Sequence, residues 1–290
     1  MVNYRFIFLT TAIFYGTISA YNVPTNLLRL ASTPTLQLSD TCINIDYDGI
    51  VAEDVPPFTQ FKAALKTVPF EVTAKTLFWN LPTLVKACFV RLVYGNWFYD
   101  QAGNKLMGHD DHLRIFAKNY PGLEPYCSKI ITALAPATPL YDTIAWIQQC
   151  QREGAKVVVW TNNDEPMYLA KKQYSDARLT AEGKEPLHVD GYFVIGSADA
   201  SHAPHISHVG KPDFEYYKKA FAYSQSIVGD TGDWEHYFID DKLKNVVAPN
   251  EYAKQTNINL TALHHPNFEQ FTQNVAAQTS LPYTQHTIIA

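Results

Sequence analysis

The sequence predicts an α/β protein: a parallel sheet covered by helices on both faces, interrupted after its first strand by a long helical segment. Three observations predict it. From residue 136 onward, short β-branched apolar runs alternate with stretches of helical periodicity, the signature of repeated strand–helix–strand units. The run "KVVVW" at 156–160 is β-branched and apolar from Val157 onward, so its strand is buried on both faces, as in a parallel sheet. Residues 52–135 break the rhythm with helical stretches and no convincing buried strand, and are too long to be a connection.

The elements follow in order. Residues 1–20, "MVNYRFIFLTTAIFYGTISA", carry one cation, Arg5, then an apolar stretch and small residues at the end. They read first as a secretory signal peptide with Ile18-Ser19-Ala20 as the cleavage triplet. That implies an exported, secreted or periplasmic protein with no stable membrane insertion. An uncleaved membrane anchor is the second reading, although the stretch is short and Thr-rich for a bilayer span. A packing helix of a cytoplasmic protein is the third. Residues 21–41 form a polar lead-in, and "CINI" at 42–45 is the first buried strand.

Four helical stretches follow: "FTQFKAALKTV", "PTLVKACFVRLVYG", "HDDHLRIFAKNY" and "PYCSKIITAL". In "PLYDTIAWIQQCQREGA", Leu140, Ile144, Ile147 and Cys150 recur at helical spacing and Gly154 closes the helix. After "KVVVW" a helix begins near Glu165, and "GYFVIG" at 191–196 is the next strand. "KPDFEYYKKAFAY" starts a helix with Pro212 near its first position. "HYFI" at 236–239 and "INLTAL" at 258–263 complete the strands. The expected division is a core of 21–51 and 136–290, with 52–135 as a separate helical lid.

The 290 residues, 47% hydrophobic and 18% charged, are those of a packed globular protein. A net charge of −5 argues against nucleic-acid binding, which needs a basic face. The four cysteines, Cys42, Cys88, Cys127 and Cys150, include no CxxC pair, and their spacing specifies no disulfide. Oligomeric state has no signal in the sequence.

Four groups stand at or beside the carboxyl ends of predicted strands, where open α/β sheets bind ligands. They are Asp46 and Asp48, Thr161-Asn162, Lys211, and Asp240-Asp241. Singly, each has an ordinary role as a turn, a helix cap or a solvated charge. Together, in this order, they resemble the haloacid dehalogenase-like (HAD) hydrolase superfamily, mostly magnesium-dependent phosphatases. The resemblance lies in "INIDYDGIV", "VVVWTNN", "GKPDFEYYKKAF" and "FIDDKLKNV" and covers about 42–51 and 136–265. Ile50 departs from the pattern, since many members carry Thr there.

The resemblance implies a Rossmann-like three-layer parallel-sheet core with an inserted α-helical cap. It implies a phosphomonoester hydrolase in which Asp46 forms an aspartyl-phosphate and Asp48 moves the proton. Mg²⁺ would be held by Asp46, the backbone carbonyl of Asp48 and Asp240, with Asp241 acting through water or orienting its neighbours. Thr161, Asn162 and Lys211 would hold the phosphoryl group. The chemistry is consistent on its own terms. A dianionic ester repels an attacking carboxylate unless a cation intervenes, and converging carboxylates offer the all-oxygen ligands that Mg²⁺ prefers.

Asp48 separates branches of the superfamily. Dehalogenases have no leaving alcohol to protonate and lack an aspartate two residues after the nucleophile. The P-type pump branch carries a Lys at the second position of its motif and many membrane spans. A phosphonate hydrolase would need a Schiff-base lysine in the lid, for which Lys62, Lys66, Lys75 and Lys86 are the available residues. A phosphomutase uses the same aspartate pair and remains an alternative, as does a binding or effector protein of this fold with little turnover.

A large lid favours a small phosphorylated substrate; a phosphoprotein would need an open cleft. Residues 60–92 hold five cations against Glu71, a bias that either attracts an anion or marks an ordinary helix surface. Phe78, Trp79, Tyr94, Trp97, Phe98 and Tyr99 read as lid core or pocket lining. The histidines of "HAPHISH" (His202, His205, His208) and "HDDH" (His109, His112) read as loop and helix-start residues, with a zinc site as the alternative.

Overall fold

The computed structural model describes residues 38–94, 98–99, 105–106, 108–196, 203–229, 234–279 and 281. The N-terminal segment read as a signal peptide lies outside them.

β1 (Thr41–Ile45) is an interior strand of the sheet, and all five of its residues are buried. It pairs in parallel with β6 (Lys156–Asp164) on one side and β9 (Glu235–Asp240) on the other. β7 (Gly191–Ile195) and β8 (Ile206–Ser207) extend the sheet beyond β6, and β10 (Leu260–His264) lies outside β9. The order is β10-β9-β1-β6-β7-β8. β8 departs from expectation, since the "HAPHISH" segment reads as loop.

Alternate residues of each strand feed two cores. Val157 and Val159 pack with α5 (Tyr141–Arg152), α6 (Glu165–Ala181) and α9 (Phe268–Gln278). Val158 and Trp160 pack with α7 (Phe214–Val228) and α8 (Leu243–Thr256) on the opposite face. The result is a three-layer α/β core. The second core also holds a polar chain: the Trp160 indole donates to Ser224 Oγ at 2.9 Å, and Ser224 to Asn44 Oδ1 at 2.7 Å. Asn44 in turn donates to the Tyr237 carbonyl at 3.1 Å, so none of these buried groups lacks a partner.

The cap occupies the interval between β1 and α5. Its two connections are held side by side as the antiparallel pair β2 (Ala52–Asp54) and β5 (Ala137–Pro139). Between them lie α1 (Pro57–Lys66), α2 (Phe70–Tyr94), a hairpin of β3 (Phe98–Tyr99) and β4 (Lys105–Leu106), α3 (His109–Asn119) and α4 (Cys127–Leu134). Residues 52–135 are therefore mainly helical but include short strands too brief to leave a periodic signal. Leu113, Leu123, Ile130 and Ile131 form a small apolar core that Met167 of α6 completes.

Two local expectations change. Pro212 precedes α7 instead of opening it: Asp213 is the N-cap, accepting from the Glu215 N–H at 2.9 Å. Phe78 and Trp79 do not fill the cap core, being 70% and 58% exposed on α2. Trp97 lies outside the described residues. Cys42, Cys127 and Cys150 are free thiols. Among the described residues no helix is long and apolar enough to cross a membrane.

Candidate active site

β1 ends at the carboxyl edge of the sheet, and the chain then makes one tight helical turn. The Val51 N–H donates to the Tyr47 carbonyl at 2.9 Å, and the Gly49 N–H to the Ala52 carbonyl at 2.8 Å. Gly49 has φ +82°, and a Cβ there would stand 2.6 Å from Asp241 Cγ. Only glycine fits both the left-handed backbone and the approach. Gly49→Ala is expected to push Asp241 out of place, costing on the order of 1–3 kcal/mol of stability. Thermal melting of the two proteins checks this.

The structure brings Asp46, Lys211 and Asp240 together. Lys211 Nζ lies 3.0 Å from Asp46 Oδ1 and 2.7 Å from Asp240 Oδ2, and donates to the Trp160 carbonyl at 3.0 Å. Its side chain is 1% exposed. The Lys242 N–H and the Asn245 amide also donate to Asp240. Burial pushes the Asp46 carboxyl up to about 8; Lys211 opposes the shift, while Asp240 and Asp48 reinforce it. Burial acts on Asp240 in the same sense, but Lys211 and these hydrogen bonds outweigh it and hold the group below the usual carboxylate range. Burial disfavours the Lys211 cation too, yet Asp240 and Asp46 keep it charged.

Asp48 faces elsewhere. Its Oδ1 accepts from Lys171 Nζ at 2.8 Å and its Oδ2 from Asn163 Nδ2 at 2.9 Å. The Thr161 hydroxyl oxygen accepts from the Asn163 N–H and side-chain amide, both at 3.1 Å. Its lone pairs are thereby engaged and its proton stays available as a donor. Asn162, expected to bind phosphate, has its side chain on the Lys211 backbone: its Oδ1 accepts from the Lys211 N–H at 2.8 Å, and its Nδ2 donates to the Lys211 carbonyl at 3.3 Å. It sets the loop that carries Lys211 in place.

Asn163 and Lys171 were not legible as site residues. β6 runs on through Asp164, so residues 161 and 163 share a face and 162 points the other way. That alternation was the available signal for Asn163. For Lys171 it was helical phase, since 167, 168, 171, 175 and 179 form the buried stripe of α6.

Asp164 joins core to cap. Its carboxylate caps α6 through the Met167 N–H at 3.0 Å and accepts from the Asp110 N–H of α3 at 2.7 Å. Gly108 permits this contact, because a Cβ there would overlap the Asp164 carboxylate. Of the histidine groups, His205 lies 3.1 Å from Glu165 and His208 is 3.4 Å from Lys219; His202 lies outside the described residues. Lys62 stands over the Phe58 ring and Lys75 pairs with Glu71.

Among the described residues, one group has metal-ligand spacing: Asp46, Asp240 and Asp241, whose ligand atoms lie within 4.8 Å of one another. The Asp48 carboxylate is not part of it. Asp241 Oδ1 is buried and has no hydrogen-bond partner. Five carboxylates (Asp46, Asp48, Asp54, Asp240, Asp241) here meet three ammonium groups, Lys171, Lys211 and Lys242. The two surplus negative charges and the all-oxygen donor set fit a hard divalent cation such as Mg²⁺. A cavity of about 610 Å³ opens beside this group, lined by Gly49 and Asp241 together with Glu53, Tyr141, His265 and Phe268 among others. It borders the carboxylates without containing Asp46 or Lys211.

Sheet order, strand-end groups and inserted helices together define a capped three-layer α/β fold, the architecture that the resemblance of the four sequence segments implies. No family model matches the sequence, and no curated protein matches it. Several solved structures are similar in fold. The L-2-haloacid dehalogenase of Xanthobacter autotrophicus is 13% identical, with a TM-score of 0.40 over 83% of this chain and 84% of that one. A HAD family enzyme of Bacteroides thetaiotaomicron is 12% identical, with a TM-score of 0.39 over 77% and 92%. CbbY of Rhodobacter sphaeroides, solved with phosphate, is 16% identical, with a TM-score of 0.37 over 78% and 86%.

Proposed function

We propose that this protein is a magnesium-dependent phosphomonoester hydrolase acting on a small phosphorylated substrate through an aspartyl-phosphate at Asp46. The observation that carries the reading is the unequal treatment of two neighbouring carboxylates. Asp46 sits with Lys211 and the carboxylate cluster, while Asp48 is turned aside onto Lys171 and Asn163. One is placed to attack and the other to handle a proton, the division that displacement of an alcohol from phosphorus needs. A carbon–halogen displacement has no use for the second.

In the first step an Asp46 carboxylate oxygen bonds to phosphorus as the ester P–O bond breaks, and Asp48 gives its proton to the departing oxygen. In the second, Asp48 takes a proton from water, whose oxygen displaces Asp46 and releases inorganic phosphate. Lys211 favours the anionic, nucleophilic form of Asp46 against the burial that opposes it and, with the Thr161 hydroxyl, stabilises the phosphoryl oxygens. Asp46, Asp240 and Asp241, with the Asp48 backbone carbonyl, would hold Mg²⁺, which would supply the charge that lets two anions approach. The helical cap screens the site from bulk water.

Purified protein is expected to release phosphate from p-nitrophenyl phosphate with Mg²⁺ and to stop on chelation. Rapid quenching should trap an acid-stable, hydroxylamine-sensitive phosphate on Asp46, located by peptide mass spectrometry. No hydrolysis with Mg²⁺ across a panel of phosphorylated metabolites would sink the reading.

A further inference from the structure

We propose that Lys171 is a positioning residue that fixes the Asp48 carboxylate for proton transfer by fastening the 48–54 turn to helix α6. The proposal rests on the phosphatase reading and extends it to a residue outside the four motifs.

Lys171 lies on the inward stripe of α6, and its side chain is 4% exposed. An ammonium group buried so deeply persists only with anions against it. It has two: Nζ is 2.8 Å from Asp48 Oδ1 and 2.7 Å from Asp54 Oδ1. Asn163 on β6 takes the other Asp48 oxygen, so the carboxylate is held on both sides by two different elements of the core. Asp48 and Asp54 stand at opposite ends of the turn that leaves β1 and continues into β2. β2 pairs with β5, the chain returning from the cap. One ammonium thus ties both ends of the turn to α6, the helix whose Met167 also closes the cap core. From the cap side, His109 at the start of α3 is the titratable group whose field reaches Asp48 and Lys171.

The consequence is geometric. A general acid works only within hydrogen-bond reach of the leaving oxygen, and a carboxylate on an untethered turn spreads over several rotamers. Lys171 donates hydrogen bonds and keeps its protons throughout. The transferred proton goes from the Asp48 carboxyl to the ester oxygen as the P–O bond breaks. Without Lys171, Asp46 and Lys211 can still receive the phosphoryl group, but Asp48, held by Asn163 alone, reaches the leaving oxygen less often.

Two esters separate these roles. p-Nitrophenolate leaves as a stable anion, whereas a primary alkoxide must be protonated. kcat/KM reports only the steps through leaving-group departure. For Lys171→Met, kcat/KM for a primary alkyl phosphate should fall about 100-fold, while that for p-nitrophenyl phosphate falls less than about fivefold. Lys171→Arg should restore part of the alkyl rate. Asp54 is half exposed, so Asp54→Ala is the gentler variant and decides the question if Lys171→Met does not fold. It frees one end of the turn and should move the ratio of the two rates in the same direction by about three- to tenfold. Equal losses on both esters in the folded variants, or an unchanged ratio, would overturn the proposal, because a merely structural lysine lowers both rates alike. A wild-type protein that cleaves neither ester overturns the phosphatase reading itself, and this proposal with it.

Discussion

Asp46→Asn is expected to abolish phosphate release, lowering kcat by about 10⁴-fold or more, as loss of a covalent nucleophile does. The amide keeps the shape of the side chain but has no anionic oxygen to attack phosphorus. Full activity in this variant would remove Asp46 from its role. The same substitution should raise the stability of the metal-free protein, because it deletes a charge that burial opposes.

The pH dependence makes this separable. The folded-state pKa of Asp46 is raised from 3.8 to about 8, so the native state binds the extra proton and Asp46 lowers stability progressively across that window. Buried His236 and His265 act oppositely: burial lowers each from 6.5 to about 4, so they add stability as pH rises through that range. His109, also lowered by burial, and Asp241, raised by it, add smaller and opposing increments. Below about pH 6.5 the two histidines outweigh Asp46. From there to about 8 the Asp46 contribution stands alone, and stability should fall by on the order of 2 kcal/mol. Urea denaturation without metal should show a maximum near pH 6.5 in the wild type and no subsequent fall in Asp46→Asn. An unchanged alkaline limb in the variant would contradict the assignment.

Lys211→Met carries the largest expected cost to folding. It leaves Asp46 and Asp240 buried against each other without their shared cation, a defect worth about 3–5 kcal/mol. kcat should fall by roughly 10²–10³-fold through lost stabilisation of the phosphoryl oxygens. The stability loss should shrink as pH falls below the carboxylate range, since protonated carboxyls need no counter-ion. Denaturation midpoints of the two proteins at neutral and acid pH test this. Equal midpoints at neutral pH would show that Lys211 does not balance the pair.

Much of the fold and half of the site are legible in the amino-acid order alone. The strands of the core announce themselves because residues such as Val157–Trp160 are apolar on both faces of a parallel sheet. The strand-end carboxylates are legible because chemistry demands charge where packing does not. What escapes is set by partners far apart in sequence. Asn162 and Asn163 are adjacent and chemically alike, yet strand alternation sends one to the Lys211 backbone and the other to Asp48. Lys171 reads as one of many lysines until α6 turns it inward beneath two carboxylates. Leu77, Phe78, Trp79 and Leu81 of α2 suggest an interior and stand at the surface.

By itself, then, the sequence determined the α/β class, the succession of strands along the chain and the four strand-end groups, because these are local patterns of period and charge. Only the tertiary structure decided which carboxylate meets Lys211 and which meets Lys171. The pairings Asp46–Lys211 and Asp48–Lys171 join residues more than a hundred positions apart, and the second depends on a turn closed around Gly49 and a helix phase. Electrostatic environment is a property of distance and burial, and neither exists until the chain is folded.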